Sequence, residues 1–327
     1  MKLIIQIPCL NEQDSLPATI AALPRRVAGF QKVEWLVIND GSTDRTVEVA
    51  RSLGVDHIVD LPINKGLAVA FMAGIERALG EGADVIVNTD ADNQYDARDI
   101  EVLVAPILAR QAQFVIGTRP IASIDHFSPI RKLLQYVGSW VVRFTSGTDV
   151  RDAPSGFRAL SRDVALRMNI FDGYTYTLES IIQAGRSGTK IVSVPIRVNG
   201  ETRPSRLVRS VPRYVLRSSL SILRAFLVYS PALTFVVLGA IPFALGGGLA
   251  VRWLLLLAFS GSERTHIPSL IAAAVLLITG FLIWLFGLLG DLLAINRRLL
   301  EDVQYQLRRD RIERRAEDTA KKIADVA

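Results

Sequence analysis

Two stretches in the second half of the chain, Ala225–Val251 and Ile267–Gly290, contain no Asp, Glu, Lys or Arg. Each exceeds the roughly 20 apolar residues that a helix needs to cross a hydrocarbon core. In a bilayer such a segment satisfies its own backbone as a helix and needs no protein cover. The alternative is a pair of core helices buried on every side, a heavy demand on a chain of 327 residues. Basic residues crowd the outer flanks. Arg203, Arg206, Arg209, Arg213, Arg217 and Arg224 precede the first stretch, and Arg297, Arg298, Arg308, Arg309, Arg311, Arg314 and Arg315 follow the second. The connecting segment carries only Arg252 and Arg264 as basic residues. This asymmetry puts both termini in the cytoplasm and the short loop outside. The predicted organisation is a domain over 1–200, a basic region over 201–224, spans over 225–258 and 267–292 joined by a loop at 259–266, and a cytoplasmic helix over 293–327. From Val211 the basic region reads as an amphipathic helix suited to an anionic bilayer surface, the alternative being a solvated surface helix. Pro231, Pro242 and Gly246–Gly248 are expected to bend or loosen the first span. Residues 301–325 read as a solvated helix or an oligomer contact.

Residues 1–200 follow a different pattern. Short apolar runs at Leu3–Ile7, Glu34–Asn39, His57–Asp60, Asp84–Thr89, Phe114–Gly117 and Lys190–Arg197 predict strands. Helical patterns fall at Ser15–Leu23, Thr43–Leu53, Leu67–Leu79 and Asp99–Arg110. Such alternation predicts an α/β domain with a mostly parallel sheet covered on both faces. In such sheets functional residues gather at the carboxyl ends of the strands. Here those ends read Pro8–Glu12, Asn39–Asp44 and Thr89–Asn93. A secretory leader is not expected, because the run after Lys2 is too short for one. Cys9 is the single cysteine, so an intramolecular disulfide is excluded and a reducing compartment expected. It reads as a buried residue at a strand end. The net charge of +6 is modest, and the apolar segments direct it to membrane lipid rather than nucleic acid.

The chemistry concentrates at Asp90-Ala91-Asp92. Two carboxylates two residues apart at a strand end can hold a hard cation, Mg²⁺ or Mn²⁺, that takes its other ligands from water and a diphosphate. The cation then stabilises charge on a leaving nucleoside diphosphate. An Asp-x-Asp in isolation is equally a turn, since turns are rich in Asp. Asn39-Asp40-Gly41-Ser42-Thr43-Asp44 closes another strand and opens a helix. Its Asp can accept hydrogen bonds from a base or ribose, and Ser42 or Thr43 can cap the helix. Lys65, in Asn64-Lys65-Gly66, can reach a phosphate or a carboxylate, or this is an ordinary turn. His57, His126 and His266 are scattered, and one cysteine makes a zinc site a poor fit.

Taken in order, Pro8-Cys9-Leu10-Asn11-Glu12, Asn39–Asp44, Asn64-Lys65-Gly66, Asp90-Ala91-Asp92-Asn93-Gln94, Gly117-Thr118-Arg119 and Asp152-Ala153-Pro154-Ser155-Gly156-Phe157-Arg158 resemble glycosyltransferase family 2. The similarity covers roughly residues 1–225, and is greatest to the dolichyl-phosphate-mannose synthases and bacterial polyprenyl-phosphate glycosyltransferases. It implies a GT-A, Rossmann-like domain followed by two transmembrane helices. It implies a nucleotide-sugar site of Pro8, Asn11, Glu12, Asp40, Lys65, Asp90, Ala91, Gln94, Ser205 and Arg206, with Asp90, Asp92 and Gln94 at the metal. Arg119, Arg131 and Ser139 would meet the acceptor phosphate, and Asp92, Asp152, Arg119 and Arg131 make up the catalytic set. Relatives carry Ser four residues after the second arginine; here Gln135 stands there and Ser139 one turn on. Their Gly-x-Ser-Lys stretch is replaced by Arg203-Pro204-Ser205-Arg206, whose Arg can grip phosphate through two donors.

The implied reaction is metal-dependent, inverting transfer of a sugar, from a UDP-sugar by preference or a GDP-sugar, to a polyprenyl or dolichyl phosphate at the cytoplasmic membrane face. A lipid monophosphate is ionised near neutral pH, so its oxygen can attack without a base. Asp152 is therefore a candidate for orienting groups. Two other readings remain open at this point. A processive polysaccharide synthase would carry Gln-x-x-Arg-Trp, which is missing here. A non-catalytic membrane-tethered nucleotide-sugar-binding protein would carry a degraded metal motif, whereas Asp90 and Asp92 are both present. Relatives with two spans include oligomers, so a homo-oligomer is a further expectation.

Overall fold

A computed structural model of the chain describes residues 1–120, 129–170, 176–199, 227, 231–260 and 267–324; the side chains of 129–135, 137, 145, 260 and 315–324 fall outside that description. Its strands are β1 (Lys2–Cys9), β2 (Lys32–Asp40), β3 (His57–Leu61), β4 (Val85–Asn88), β5 (Phe114–Thr118), β6 (Arg158–Ser161) and β7 (Ile191–Pro195). They form one sheet in the order β3-β2-β1-β4-β6-β5-β7. All pair in parallel except β6, which runs antiparallel to both β4 and β5. The helices are α1 (Leu16–Ala22), α2 (Thr46–Ser52), α3 (Leu67–Gly80), α4 (Ile100–Leu108), α5 (Pro129–Ser146), α6 (Arg162–Arg167), α7 (Tyr176–Arg186), α8 (Pro231–Ser260) and α9 (Ile267–Ala324).

β1, β2 and β4 are buried along almost their whole length, as expected of strands covered on both faces. Two polar side chains interrupt this core. Gln6 Nε2 donates to Asn88 Oδ1 at 2.9 Å, and Asn88 Nδ2 donates to the Gly156 carbonyl at 2.9 Å and to Tyr176 Oη at 2.8 Å. Gly74 on α3 leaves room for Gln6, since a Cβ there would lie 2.5 Å from Gln6 Oε1. A buried amide without partners is costly, so this chain of bonds specifies how the middle of the sheet meets α7 and the loop before β6.

The strands and helices predicted within residues 1–200 all form, with ends shifted by a few residues. β6, α5, α6 and α7 are additions to the sequence-based expectation. β6 is only four residues long and opens with a charged residue, Arg158, so it carries little strand signal. Burial of that arginine is possible because it donates to four acceptors: the carbonyls of Ser155 (2.8 Å), Thr177 (3.0 Å) and Ala153 (3.0 Å), and Ser180 Oγ (2.5 Å).

The chain divides into two compact units, Met1–Ile222 with Glu301–Ala327, and Leu223–Leu300. In the second unit, close backbone approach joins α8 to α9. A Cβ on Gly280 would fall 2.8 Å from the Gly239 carbonyl, and one on Gly246 would fall 2.9 Å from that of Ala273. Trp284 Nε1 donates to the Val236 carbonyl at 3.1 Å. Small residues at such contacts are how helices pack in lipid. The apolar windows of the two helices are only 11% and 17% buried within the chain, unlike mostly buried core helices. α8 runs unbroken through Pro242 and Gly246–Gly248, where loosening was expected. The basic region 201–224 and the loop residues 261–266 lie outside the described residues.

α9 continues without interruption from Ile267 to Ala324, so the helix expected after the second apolar stretch is its continuation. Its later part belongs to the first unit. Tyr305 Oη donates to Asp163 Oδ1 at 3.0 Å, and Arg308 Nη1 donates to the carbonyls of Met168 (2.6 Å) and Leu166 (3.4 Å) at the end of α6. A cation there complements the negative end of α6.

On β2, Glu34 is 4% exposed and lies against Lys2 Nζ (2.6 Å), Lys32 Nζ and His57 Nε2 (2.8 Å). Burial works to raise its pKa, but hydrogen bonds from Lys2, Lys32 and His57 outweigh it and hold the carboxyl at about 2. The ionised cluster therefore stabilises the fold above the unfolded pKa and loses that contribution as pH falls toward about 2. Glu34→Gln should cost about 2 kcal/mol at pH 7 in denaturant unfolding of the detergent-solubilised chain. The deficit should shrink as pH drops below about 4.5. A deficit of the same size at pH 2.5 would contradict this account.

Candidate active site

Because β1, β2, β4 and β5 point the same way, the segments that follow them meet at one edge of the sheet. On the β1–β2 side, Asn11 takes a left-handed φ of 56°, which Asn tolerates. Its Oδ1 accepts from the Thr43 amide at 2.8 Å, and its own amide donates to Ser42 Oγ at 2.9 Å. The Glu12 amide donates to Thr46 Oγ1 at 2.8 Å. Helix α2 is therefore not capped by Ser42 or Thr43, which are engaged with Asn11. Asp44 takes that role: its Oδ1 accepts from the amide of Thr46 at 3.0 Å.

Asp40 is buried, and its two oxygens accept from the amides of Lys65 (2.8 Å) and Gly66 (2.9 Å). Gly41, at φ 70°, passes so close that a Cβ would lie 2.4 Å from the Asn64 nitrogen. Asp40 thus builds a cradle from Asn39–Asp44 and Asn64–Gly66, with the Lys65 side chain exposed at its rim. Pro8 and Ala91 are buried, and the Ala91 carbonyl accepts from Thr19 Oγ1 at 2.7 Å.

The acidic loop follows β4. Gln94 ties its two carboxylates together: its Nε2 donates to Asp90 Oδ2 at 2.6 Å and its amide to Asp92 Oδ1 at 3.2 Å. Burial, then the charge of Asp92, pushes the Asp90 carboxyl up to about 6. The opposite wall is Gly156, where a Cβ would sit 2.8 and 2.9 Å from the two Asp90 oxygens. The Gly156 amide donates to Tyr95 Oη at 3.0 Å, and the Tyr95 ring stacks on Phe157 with centroids 5.0 Å apart. No group of three or more His, Cys, Asp or Glu side chains able to hold a metal occurs among the described residues. A hard cation would have Asp90 and Asp92, with Gln94 Oε1 nearby, and would take its remaining ligands from diphosphate and water. Those residues fit Mg²⁺ or Mn²⁺, which commonly keep such outside ligands.

Beside this loop stands a buried ion pair. Arg119 Nε and Nη2 donate to Asp152 Oδ2 (2.7 Å) and Oδ1 (2.9 Å), and the Arg119 amide adds a contact at 3.2 Å. Asp152 is fully buried, with both carboxylate oxygens engaged by Arg119. Proximity to Asp152 keeps Arg119 charged against the opposing effect of its own burial. Nη1 and one Nη2 hydrogen remain to meet an anion. Ser139 departs from expectation. It is buried, and its Oγ accepts from the Ala153 amide at 3.3 Å, so it supports the Asp152 loop from beneath. The side chain of Arg131, and Ser205 and Arg206 altogether, lie outside the described residues. The sequence motifs included Gly156 and Arg158 without assigning them a task, and Tyr95 directly follows one of them. The glycine inside Ser155-Gly156-Phe157 was the available signal for a close approach.

Comparison with known proteins adds to this geometry. The family model described as glycosyl transferase family 2 matches residues 4–167. The chain is 30% identical over 219 residues to an undecaprenyl-phosphate mannosyltransferase of Micrococcus luteus, covering 63% of this chain and 88% of that protein. It is 27% identical over 204 residues to a polyprenol monophosphomannose synthase of Mycolicibacterium smegmatis, covering 59% and 76% respectively. Among solved structures, glucosyl-3-phosphoglycerate synthase from Mycobacterium tuberculosis in complex with Mn²⁺, uridine diphosphate and phosphoglyceric acid superposes with a TM-score of 0.52. That match has 21% identity and covers 68% of this chain and 78% of that one, a likeness of fold.

The Gly156 contact makes a specific forecast. Gly156→Ala should push the Asp90 carboxylate away from its place beside Gln94 while leaving the sheet intact. Turnover should fall about 100-fold, the scale of a 1 Å misplacement, with a melting temperature within a few degrees of the parent. Parent-like turnover in this variant would show that the contact is not limiting.

Proposed function

We infer that this chain, which belongs to glycosyl transferase family 2 and is a glycosyltransferase, transfers a sugar from a nucleotide-sugar to the phosphate of a polyprenyl lipid at the cytoplasmic face of a membrane. The observation that carries this reading is the presence in one chain of the acidic Asp90–Asp92 loop beside the Arg119–Asp152 pair and of two apolar helices left largely uncovered. The relatives named for undecaprenyl phosphate and polyprenol support the acceptor class. A further support is α5, the helix that carries Arg131, on which Tyr136, Trp140 and Phe144 are exposed one turn apart, as in an interfacial belt. Both termini are read as cytoplasmic, which fits the basic flanks and the assignment of Glu301–Ala327 to the same compact unit as Met1–Ile222.

The chemistry follows from charge. The acceptor phosphate oxygen forms a bond to the anomeric carbon as the bond to the diphosphate oxygen breaks, and attack from the opposite face inverts the configuration. The nucleophile is already ionised, so the enclosed Asp152 has no proton to remove. It holds Arg119 flat, with the remaining guanidinium hydrogens available to the incoming phosphate. The cradle held together by Asp40 would take the nucleoside, with Asn11 and Glu12 at its β1 side. A divalent cation at Asp90 and Asp92 supplies electrostatic stabilisation of the leaving diphosphate when bound. Positioning and charge stabilisation then supply most of the rate enhancement. Arg131, Ser205 and Arg206 complete the phosphate contacts on this reading, by their resemblance to family motifs.

The test is direct. Full-length protein in detergent or liposomes is incubated with a polyprenyl phosphate and labelled UDP-, GDP- and dTDP-sugars, with mannose donors as the first arm because both relatives are named for mannose. An organic-extractable labelled lipid is expected. Chelation should abolish it and added Mg²⁺ or Mn²⁺ restore it. If no donor labels the lipid, the acceptor reading fails. Asp92→Asn should lower transfer by about 100-fold or more, and unchanged transfer would remove the metal assignment. Arg131→Ala should raise the KM for lipid phosphate more than it weakens donor binding; equal losses would remove that residue from the acceptor side.

A further inference from the structure

The Asn93–Tyr95 part of the acidic loop is held from outside by Asn199. Asn199 lies just past the end of β7, at the last described position before the arginine-rich region. Its Nδ2 donates to the carbonyls of Asn93 (2.8 Å) and Tyr95 (3.2 Å), and its backbone amide donates to the carbonyl between them, that of Gln94 (2.9 Å). Three consecutive carbonyls of the loop thus accept from a single residue. Val198 forms a bridge with Tyr95, and the Asp96 amide donates to the Arg197 carbonyl at 3.3 Å. Together these contacts add a short antiparallel pairing to the back of the loop.

This bracket matters because of what the loop carries. Gln94, at its centre, contacts both Asp90 and Asp92. Asn93 sits at φ 54°, a left-handed conformation that an unrestrained residue leaves readily. Holding the carbonyls on both sides of Gln94 fixes the direction in which its amide and side chain project. We propose that Asn199 is a positioning residue for the metal and diphosphate site. It sets the Asn93–Tyr95 backbone so that Gln94 keeps the Asp90 and Asp92 carboxylates spaced to share one divalent cation. The inference rests on the proposed metal-dependent transfer and deepens it, since it names a support absent from the family motifs read in the sequence.

Arg197 provides the internal control. Its guanidinium reaches Asp99 (2.5 Å) and Asp96 (3.6 Å), away from the three carbonyls. Asn199→Ala and the near-isosteric Asn199→Asp both remove the Nδ2 donors; Arg197→Ala removes the ion pairs of an exposed guanidinium with the buried Asp96 and Asp99 at the same place in the fold. Three measurements on the full-length detergent-solubilised protein apply: binding of Mn²⁺ in the presence of UDP by electron paramagnetic resonance, amide hydrogen exchange of residues 90–96 without metal, and transfer against Mn²⁺ concentration. Both Asn199 variants should bind Mn²⁺ about 10-fold more weakly, the usual scale for a residue supporting a metal ligand. They should exchange the loop amides faster, and should regain most of their transfer rate at high Mn²⁺. Arg197→Ala should leave Mn²⁺ binding as in the parent. Parent-like Mn²⁺ affinity in the Asn199 variants, or an equal loss in Arg197→Ala, overturns the proposal. A parent protein that neither binds Mn²⁺ nor transfers sugar would instead count against the functional reading beneath it.

Discussion

Asp90 is pressed into a wall it cannot leave. Gly156 occupies one side at a distance that admits no side chain, Gln94 holds one oxygen, and Asp92 brings a second negative charge close by. Burial and like charge both disfavour the ionised form, which is why the carboxyl is pushed up to about 6. An apolar domain core would not keep such an arrangement for its own stability. The divalent cation proposed for this pair would reverse the balance, because the features that make two close carboxylates unfavourable alone make them a strong ligand pair. The acidic loop, the Tyr95–Phe157 stack and the Ser155–Phe157 turn can each be understood as keeping that pocket narrow.

The antiparallel β6 is the topological means to this end. Inserted between β4 and β5, it sends residues 152–156 across the carboxyl end of β4, so that Gly156 arrives beside Asp90 and Asp152 beside Arg119. A sheet with only parallel neighbours at this point would bring in its next segment by a crossover helix from the opposite edge. Arg158 anchors the turn by donating to the carbonyls of Ala153 and Ser155. Desolvation works against its charge, yet Asp152 and Asp90 are close enough to favour it. The buried cation thus helps both to fold the turn and to moderate the negative potential behind the acidic pair.

Much of this was legible in the sequence, and what escaped it did so for identifiable reasons. β1, β2 and β4 are apolar runs buried on both faces, so composition alone marks them. Asp90, Asp92 and the Asp40 turn stand at their ends, where sheet geometry requires ligands to bind. β6 was missed because its first residue is an arginine whose burial depends in part on acceptors well along the chain, the Thr177 carbonyl and Ser180 Oγ, and no local pattern records them. The family resemblance placed Ser139 at the acceptor phosphate, whereas in the structure it is buried and its Oγ accepts from the Ala153 amide. Ser42 and Thr43 were reasonable caps for α2 until Asn11, distant in sequence, engaged both of them. In each case a contact between residues far apart in the chain overrode a correct local preference.

The same argument applies to the C-terminal arm. A basic, helix-forming segment after a span reads equally as solvated or as an oligomer contact, because its charges alone name no partner. Within the chain, Arg308, a guanidinium half withdrawn from water, finds acceptors in the carbonyls that end α6. Tyr305 reaches Asp163 on the same short helix while its ring receives the Arg167 guanidinium 4.2 Å from its centroid. The arm is one unbroken helix with the second apolar stretch, so the chain passes from one compact unit to the other twice, once after Ile222 and once along this helix.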